Sequence, residues 1–391
     1  MPITVFGYVP HSPSALPAGH RDSGELGLGF IEESARAHED AGFDSILIAY
    51  GAMHPDTWQV AGHVAHVTKR IRLLIANRPG VALPSLVARQ AITLDYISGG
   101  GRVALHIISG GNEAEQHRDG DFVGHDDRYR RSGEFIEVIR RLWDDDSPFD
   151  FDGEFYRVRG ARSALRPRTQ GALPIFFAGE SAASIEAAGR YADAYVLGGN
   201  PLGQTSDLLD SVQAVAARHG RSLATGVGFR IVLGATEAEA WAKAQAIHDA
   251  TVREIDSDKA VADGLKLIRS STLTAVSERR IHAISQSADV QDERLWLGYT
   301  RLVGAGGTTS ALVGTPRQVA DALLRYYDLG VRVFYLRGWD YVRDPLEIGR
   351  DLLPELRRLV AVREAEEAYP RPDAAALAAT AAPADAAILR A

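Results

Sequence analysis

Short β-branched runs alternate with amphipathic helical stretches about eight times along the 391 residues, which predicts a (β/α)8 barrel. That count is high for a doubly wound sheet of ordinary size, the competing reading of the same alternation. The first half shows the punctuation most clearly, with helices entered by proline and stopped by glycine. Residues 3–8 read as the first strand and 30–41 as a helix stopped by Gly42. Residues 45–49 form the second strand, followed by a helix around 57–67. Strand 72–76 leads into helix 84–97, entered by Pro84 and closed by Ser98-Gly99-Gly100-Gly101, and 103–108 is the fourth strand. In the second half, 175–178, 194–197 and 228–233 read as strands, with helices at 181–191, 206–219 and 237–250. Helix 316–328, strand 333–337 and helix 345–362 complete the series. A barrel carries its active site at the C-terminal ends of its strands, so the residues just past each strand are the first candidates for chemistry.

Two segments break the rhythm. Residues 144–160 are rich in aspartate and aromatics, and 149–156 alternate with period two, so they read as a hairpin turning near Asp152-Gly153. Residues 255–294 are charged and helical in character with no strand of their own, which at a barrel mouth reads as a lid; a surface excursion is the plainer alternative. From residue 366 the chain becomes an Ala/Pro-rich tail with too little apolar bulk to fold alone, either disordered or an arm on a partner subunit. The expected organisation is therefore a barrel over 1–365 and a tail over 366–391.

Composition narrows the function. Hydrophobic residues at 46% and charged residues at 24% are the balance of a soluble globular protein able to bury a large core. Net charge is 43 − 51 = −8, which argues against a nucleic-acid binder that must neutralise phosphates. The absence of cysteine excludes disulfides, thiolate metal sites and a cysteine nucleophile. No basic N-terminal segment precedes an apolar stretch, and no apolar run approaches the roughly 18 residues of a membrane span, so the expectation is a cytoplasmic protein away from membranes. The twelve histidines show no HxxxH or HExxH spacing, and no metal site is expected; His117, Asp119, His125 and Asp126 read as a solvated polar loop. Gly110-Gly111 and Gly304-Ala305-Gly306-Gly307 lack both the GxGxxG spacing and the lysine of a phosphate loop, which disfavours a Rossmann enzyme.

Strand ends are more informative. His106 lies in an otherwise apolar strand that runs into Ser109, and a polar group facing a barrel interior needs a partner, either a neighbour or a ligand. Ala178-Gly179-Glu180-Ser181 joins a strand to a helix; free amides at that helix start suit a phosphate, although from local pattern Ser181 reads first as an N-cap. Arg230 interrupts a core strand and calls for an anionic partner, either a structural carboxylate or an anionic substrate or intermediate. Trp339 and Tyr341 follow the last strand, where they can meet a ligand or simply cap the barrel.

Taken together, several stretches resemble the luciferase-like flavin monooxygenases, nearest to the alkanesulfonate monooxygenases. They are Arg78-Pro79, Ala88-Arg89-Gln90-Ala91-Ile92-Thr93-Leu94-Asp95 with Ser98-Gly99-Gly100, and His125-Asp126-Asp127-Arg128-Tyr129 with Glu134-Phe135 and Leu142-Trp143. Gly153-Glu154-Phe155-Tyr156, Ala178-Gly179-Glu180-Ser181, Leu295-Trp296, Leu312-Val313-Gly314 and Leu352-Leu353-Pro354 continue the likeness in order, over roughly residues 3–360. The resemblance implies a TIM barrel that uses reduced FMN and dioxygen, with the FMNH2 delivered by a separate NAD(P)H-dependent FMN reductase. It further implies cleavage of the carbon–sulfur bond of a small anionic sulfonate to an aldehyde and sulfite, in a homo-oligomer (dimer or tetramer).

Carried over by position, His106, Ser109, His125 and Tyr129 would line the flavin, and Ala178, Gly179, Glu180 and Ser181 would hold its phosphate. Arg230 and His54 would act in catalysis, and His11, Arg230, Arg301, Trp339 and Tyr341 would meet substrate. The flavin side matches while the substrate side departs from the family pattern. A histidine two residues past the strand arginine is Val232 here, and a tyrosine and histidine after the last strand are Trp339 and Tyr341. A cysteine near the second strand end is His54, and a tryptophan after the sixth strand falls near Gly198 or Gly199. Those departures leave open another small organic substrate, or hydride transfer with the deazaflavin F420 on the same fold, or a flavin-binding protein without catalysis.

Overall fold

The computed structural model describes residues 3–12, 26–110, 113–168, 173–259, 262, 276–304 and 308–368. Eight parallel strands close into a barrel. The first four are β1 (Thr4–Val9), β2 (Ser45–Ile48), β3 (Arg72–Asn77) and β4 (Val103–Ile107). The chain then leaves the barrel for an antiparallel hairpin, β5 (Phe149–Asp152) and β6 (Arg157–Ala161), and returns with β7 (Ile175–Ala178), β8 (Ala194–Leu197) and β9 (Ala224–Leu233). The short strands β10 (Val290–Gln291), β11 (Leu295–Trp296) and β12 (Ala311–Gly314) precede the closing strand β13 (Val331–Arg337). Hydrogen bonding runs β1-β2-β3-β4-β7-β8-β9-β13 and back to β1, all parallel. The open doubly wound sheet is therefore excluded, because both of its edges are paired.

The outer layer holds α1 (Leu28–Asp40), α2 (Thr57–Val67), α3 (Pro84–Ile97), α4 (Glu113–Arg118), α5 (His125–Asp144), α6 (Ala182–Tyr191) and α7 (Leu202–Arg218). It continues with α8 (Glu237–Ser257), α9 (Val276–Ser287), α10 (Gly298–Val303), α11 (Pro316–Asp328), α12 (Arg343–Glu347) and α13 (Leu353–Ala368). The outward faces of the strands carry Val, Ile and Leu that pack against these helices, for example Ile46, Ile75 and Leu105 against Ile31, Val64 and Ala91 in one core. Each such side chain contributes on the order of 1.5–3 kcal/mol on burial. No helix among the described residues is long and apolar enough to cross a membrane.

Several boundaries differ from the sequence expectation for local reasons. Strand β9 starts at Ala224, not 228, because Gly226 and Gly228 dilute the apolar run that marks a strand. The final helix is interrupted: Pro354 has no amide to give, and the Leu353 N–H reaches the Ile348 carbonyl in a π-turn over Ile348–Leu352. The segment 255–294 does carry a strand: α8 runs into it, and two-residue β10 pairs with β11, too short to leave a periodic signal. Residues 366–368 close α13, and the rest of the expected tail lies outside the described residues.

Period two inside the barrel positions the site. Phe6, Leu74, Ala104, Val196, Val333 and Tyr335 pack as an interior layer with Tyr8, Leu47 and Phe176, and Phe6 stacks on Tyr335 at 4.6 Å between ring centres. Strand β9 contributes Gly226 and Gly228 to this layer. A Cβ on Gly226 would lie 2.9 Å from Val333 and one on Gly228 2.9 Å from Tyr335, so only glycine leaves room for the neighbouring strand's side chains. Two residues further on each strand, the same inward rows end in Arg230 and Arg337, which are register partners across β9 and β13.

Candidate active site

At the end of β7 the chain turns sharply into α6. Gly179 sits at φ +120°, and a Cβ there would meet the Ser184 hydroxyl at 2.5 Å and the Tyr129 hydroxyl at 3.1 Å. Ser181 caps α6, its hydroxyl accepting from the Ser184 amide at 3.2 Å. The Ser184 hydroxyl donates to the Ala178 carbonyl at 3.0 Å, the Tyr195 hydroxyl donates to the Gly179 carbonyl, and the Tyr129 phenol meets Ser181 and Ser184. The turn is thus a cradle of small residues and hydroxyls. His125 stands at its rim, 5.1 Å from the Tyr129 ring and bonded through Nδ1 to Asp126 at 2.7 Å.

A cavity of about 270 Å³ opens beside this cradle, lined among others by His106, Gly179, Glu180, Gly198, Asn200 and Ile281. Burial pushes the His106 imidazole down to about 4, so it is neutral near pH 7, and its Nδ1 has no partner. Glu180 is buried, and desolvation raises its carboxyl above the usual range. It accepts from Asn200 at 2.9 Å and pairs with Arg280 of α9 at 3.1 Å, which fastens that helix across the mouth. Ile281, next on α9, contributes to the cavity wall.

Beside the cavity, bonded to its wall residues Thr308 and Tyr335, lie the two inward arginines. Arg230 is 4% exposed and donates to the Thr308 carbonyl at 3.0 Å and the Gly338 carbonyl at 2.6 Å. Trp339 lies 4.8 Å and Tyr299 5.4 Å from its guanidinium carbon. No carboxylate pairs with it among the described residues, in contrast to buried Arg78, held by Glu115 at 2.9 Å and Asp119 at 2.8 Å. Arg337 donates to the Tyr335 hydroxyl at 3.4 Å and to the Tyr341 hydroxyl, with the Tyr8 ring 4.6 Å away. Burial raises the Tyr341 phenol, but Arg337 and Arg230 outweigh that and hold it below the ordinary tyrosine value. A barrel with an aromatic-walled cationic centre at the C-terminal strand ends, next to a helix-start cradle, is built to receive a ligand there.

The sequence profile of the luciferase-like monooxygenases matches residues 11–333. The chain belongs to that family. Solved structures agree in fold. A riboflavin lyase crystallised with modified FMN and riboflavin superposes at a TM-score of 0.72 with 22% identity, over 92% of each chain. DmoA from Hyphomicrobium sulfonivorans gives 0.73 and 21%, over 92% of this chain and 88% of its own. An F420-dependent secondary alcohol dehydrogenase gives 0.64 and 16%, over 91% and 99%. At these identities the likeness is one of fold.

Within this luciferase-like monooxygenase, the residues expected to line a flavin separate into two groups. His106, Ala178, Gly179 and Glu180 face the cavity, while Tyr129, Ser181 and His125 form the cradle and rim beside it. Ser109 is engaged elsewhere, its hydroxyl 2.8 Å from that of Ser132 on α5. Of the substrate-side residues, Arg230, Trp339 and Tyr341 meet at the cationic centre. His11 and His54 face each other at 4.9 Å in a separate small niche next to Tyr8. Arg301 is not brought to the site: it pairs with Asp289 at 2.6 Å and donates to the Ser285 carbonyl, tying α10 to α9. Sequence reasoning missed Arg337, Tyr335 and Tyr8, which the Val333/Tyr335/Arg337 alternation could have shown, and Arg280, for which no local signal exists.

Proposed function

We propose that the protein is a two-component monooxygenase that takes FMNH2 from a separate NAD(P)H-dependent FMN reductase and uses dioxygen to cleave the carbon–sulfur bond of an organosulfonate, releasing an aldehyde and sulfite. The observation that carries this reading is Arg230, a buried guanidinium with no carboxylate partner among the described residues, bonded to the carbonyl of Thr308 in the cavity wall. Two of its nitrogens hold backbone carbonyls, which fixes the guanidinium in place, and its uncompensated charge favours an anion such as a sulfonate. The cavity fits a flavin on its own terms: His106 Nδ1 is buried and unpartnered, and nothing stands within 4 Å of a Cβ built on Gly198 in its wall.

In this reading Ala178, Gly179 and Ser181 with Tyr129 hold the phosphate, and His106 contacts the ring system as a neutral imidazole. Reduced FMN, when bound, supplies the activation of dioxygen. Arg230 orients the sulfonate, and Trp339 and Tyr299 exclude water from around it. Tyr341, held below the usual phenol range, is the group best placed to hold or move a proton at its Oη. His54 and His11 face each other in the neighbouring niche beside Tyr8, and their part in the reaction rests on the resemblance alone. Helix α9 serves as the lid.

The test is anaerobic titration with photoreduced FMN, followed by mixing with oxygenated buffer and assay of sulfite over a panel of sulfonates. Reduced-FMN binding with sulfite release only in the presence of a sulfonate is the expected result. Substrate-linked oxygen consumption without sulfite would keep the monooxygenase and discard the sulfonate. Turnover with reduced F420 under strict anaerobiosis, with no affinity for FMNH2, would replace both with hydride transfer.

A further inference from the structure

The second arginine sets the chemistry of the substrate more narrowly. Arg230 and Arg337 are register partners on neighbouring strands, both facing inward, and Tyr341 lies between them as a shared neighbour. Among the described residues the fully buried arginines find either a carboxylate or several carbonyls, although Arg78 and Arg131 also leave Nε without a partner. Arg131 pairs with Asp121, and Arg128 donates to three carbonyls, of Ser109, Val123 and Gly110. Arg102 has no carboxylate contact but is saturated by the carbonyls of Ile71, Thr68 and Ser98 and the Thr68 hydroxyl. Arg337, half-buried, faces two phenol oxygens, one at 3.4 Å, and no carboxylate among the described residues. Among the described residues no carboxylate touches either member of the pair. Two like charges on neighbouring strands, facing phenols and carbonyls with no carboxylate among the described residues, form an arrangement that a bound anion would stabilise.

One guanidinium is enough for a sulfonate. Two, on adjacent strands of a shared wall, match a substrate that carries two negative charges. Resting on the monooxygenase reading above, we propose that the substrate is a dianion: a short organosulfonate bearing a second acid group, with Arg230 taking one anionic group and Arg337 the other. Tyr341 then bridges the two anchor points, and Tyr335, stacked on Phe6, sets the depth of the second.

The experiment is isothermal titration of the whole protein, with oxidised FMN and again with anaerobically reduced FMN, using two probes of similar length. Sulfoacetate carries two charges and 2-hydroxyethanesulfonate one. The wild-type protein should bind sulfoacetate at least about tenfold more tightly, the equivalent of one hydrogen-bonded charge contact. Arg337→Gln should abolish that preference while leaving 2-hydroxyethanesulfonate affinity within about twofold, and Arg337→Lys, which keeps the charge, should retain part of it. Because Arg337 is half-buried beside Arg230 and has no carboxylate partner among the described residues, Arg337→Gln should also melt no lower than the wild type in anion-free buffer. Equal affinity of the wild-type protein for both probes overturns the proposal, as does an equal loss of both in Arg337→Gln. An Arg337→Gln protein that no longer distinguishes FMN from riboflavin would assign this charge to the flavin phosphate and overturn it as well. A charge preference that survives while sulfite release fails would leave this inference standing and sink the reaction proposed above.

Discussion

Replacing Gly179 with alanine tests the cradle directly. The residue sits at φ +120°, which costs an L-residue about 1–3 kcal/mol. The new Cβ would lie 2.5 Å from the Ser184 hydroxyl, so that side chain must move and give up its 3.0 Å bond to the Ala178 carbonyl, a further loss of about 1 kcal/mol. The sum, roughly 3 kcal/mol, should lower the urea midpoint clearly and the melting temperature by several degrees. Gly42→Ala is the matched control. It too has positive φ, at +78°, but its Cβ would meet only the Arg357 side chain at 3.7 Å, so strain alone is added. Denaturation and FMN titration of both variants separate the effects. Gly179→Ala should lose at least tenfold in FMN affinity because the cradle's hydroxyls have shifted, whereas Gly42→Ala should bind as the wild type does. Equal FMN affinity in the two variants would refute the assignment of the phosphate to this turn.

Two further outcomes follow from buried groups outside the cradle. His38 is 1% exposed and its Nδ1 is bonded to the Ser34 carbonyl at 2.8 Å; burial pushes it down to about 4 from 6.5. The unfolded chain therefore binds the extra proton first, so stability is full above pH 6.5 and falls as the pH drops toward 4, by about 3 kcal/mol. Urea melts across that window should show the loss, and His38→Gln should remove most of the slope; an unchanged slope would assign it to other groups. Arg280→Ala leaves the buried Glu180 carboxylate with Asn200 as its remaining partner. Because Arg280 is itself about one-third exposed, the cost is discounted to about 1–2 kcal/mol, and it should appear as amide exchange in α9 roughly tenfold faster with α1 unchanged. Unaltered exchange in α9 would show that the pair does not fasten that helix.

Much of the barrel was legible because its helices announce themselves locally: Pro84 opens α3 and Pro316 opens α11, and both were read to the residue. Ser181 was likewise readable as a cap, and the structure shows it capping. What escaped depended on register. That Arg230 lies beside Arg337 is a fact about strands β9 and β13, separated by more than a hundred residues, and no local pattern carries it. Arg301 shows the opposite error. The resemblance placed it at the substrate, whereas the short helix α10 turns it toward Asp289 and Ser285. The Arg280–Glu180 pair was hidden for the same reason as the arginine pair: it joins an insertion to a strand end a hundred residues away.

The two glycines beneath Arg230 have a bearing on how such a protein can change. They do not line the cavity themselves, yet they leave the space into which Tyr335 and Val333 sink. A larger residue at 226 or 228 would lift the aromatic floor toward the mouth and shorten the pocket from below. Selection for a new substrate therefore has a route that leaves both arginines and the cradle untouched: the depth of the site is adjustable from two backbone positions that sit behind its lining.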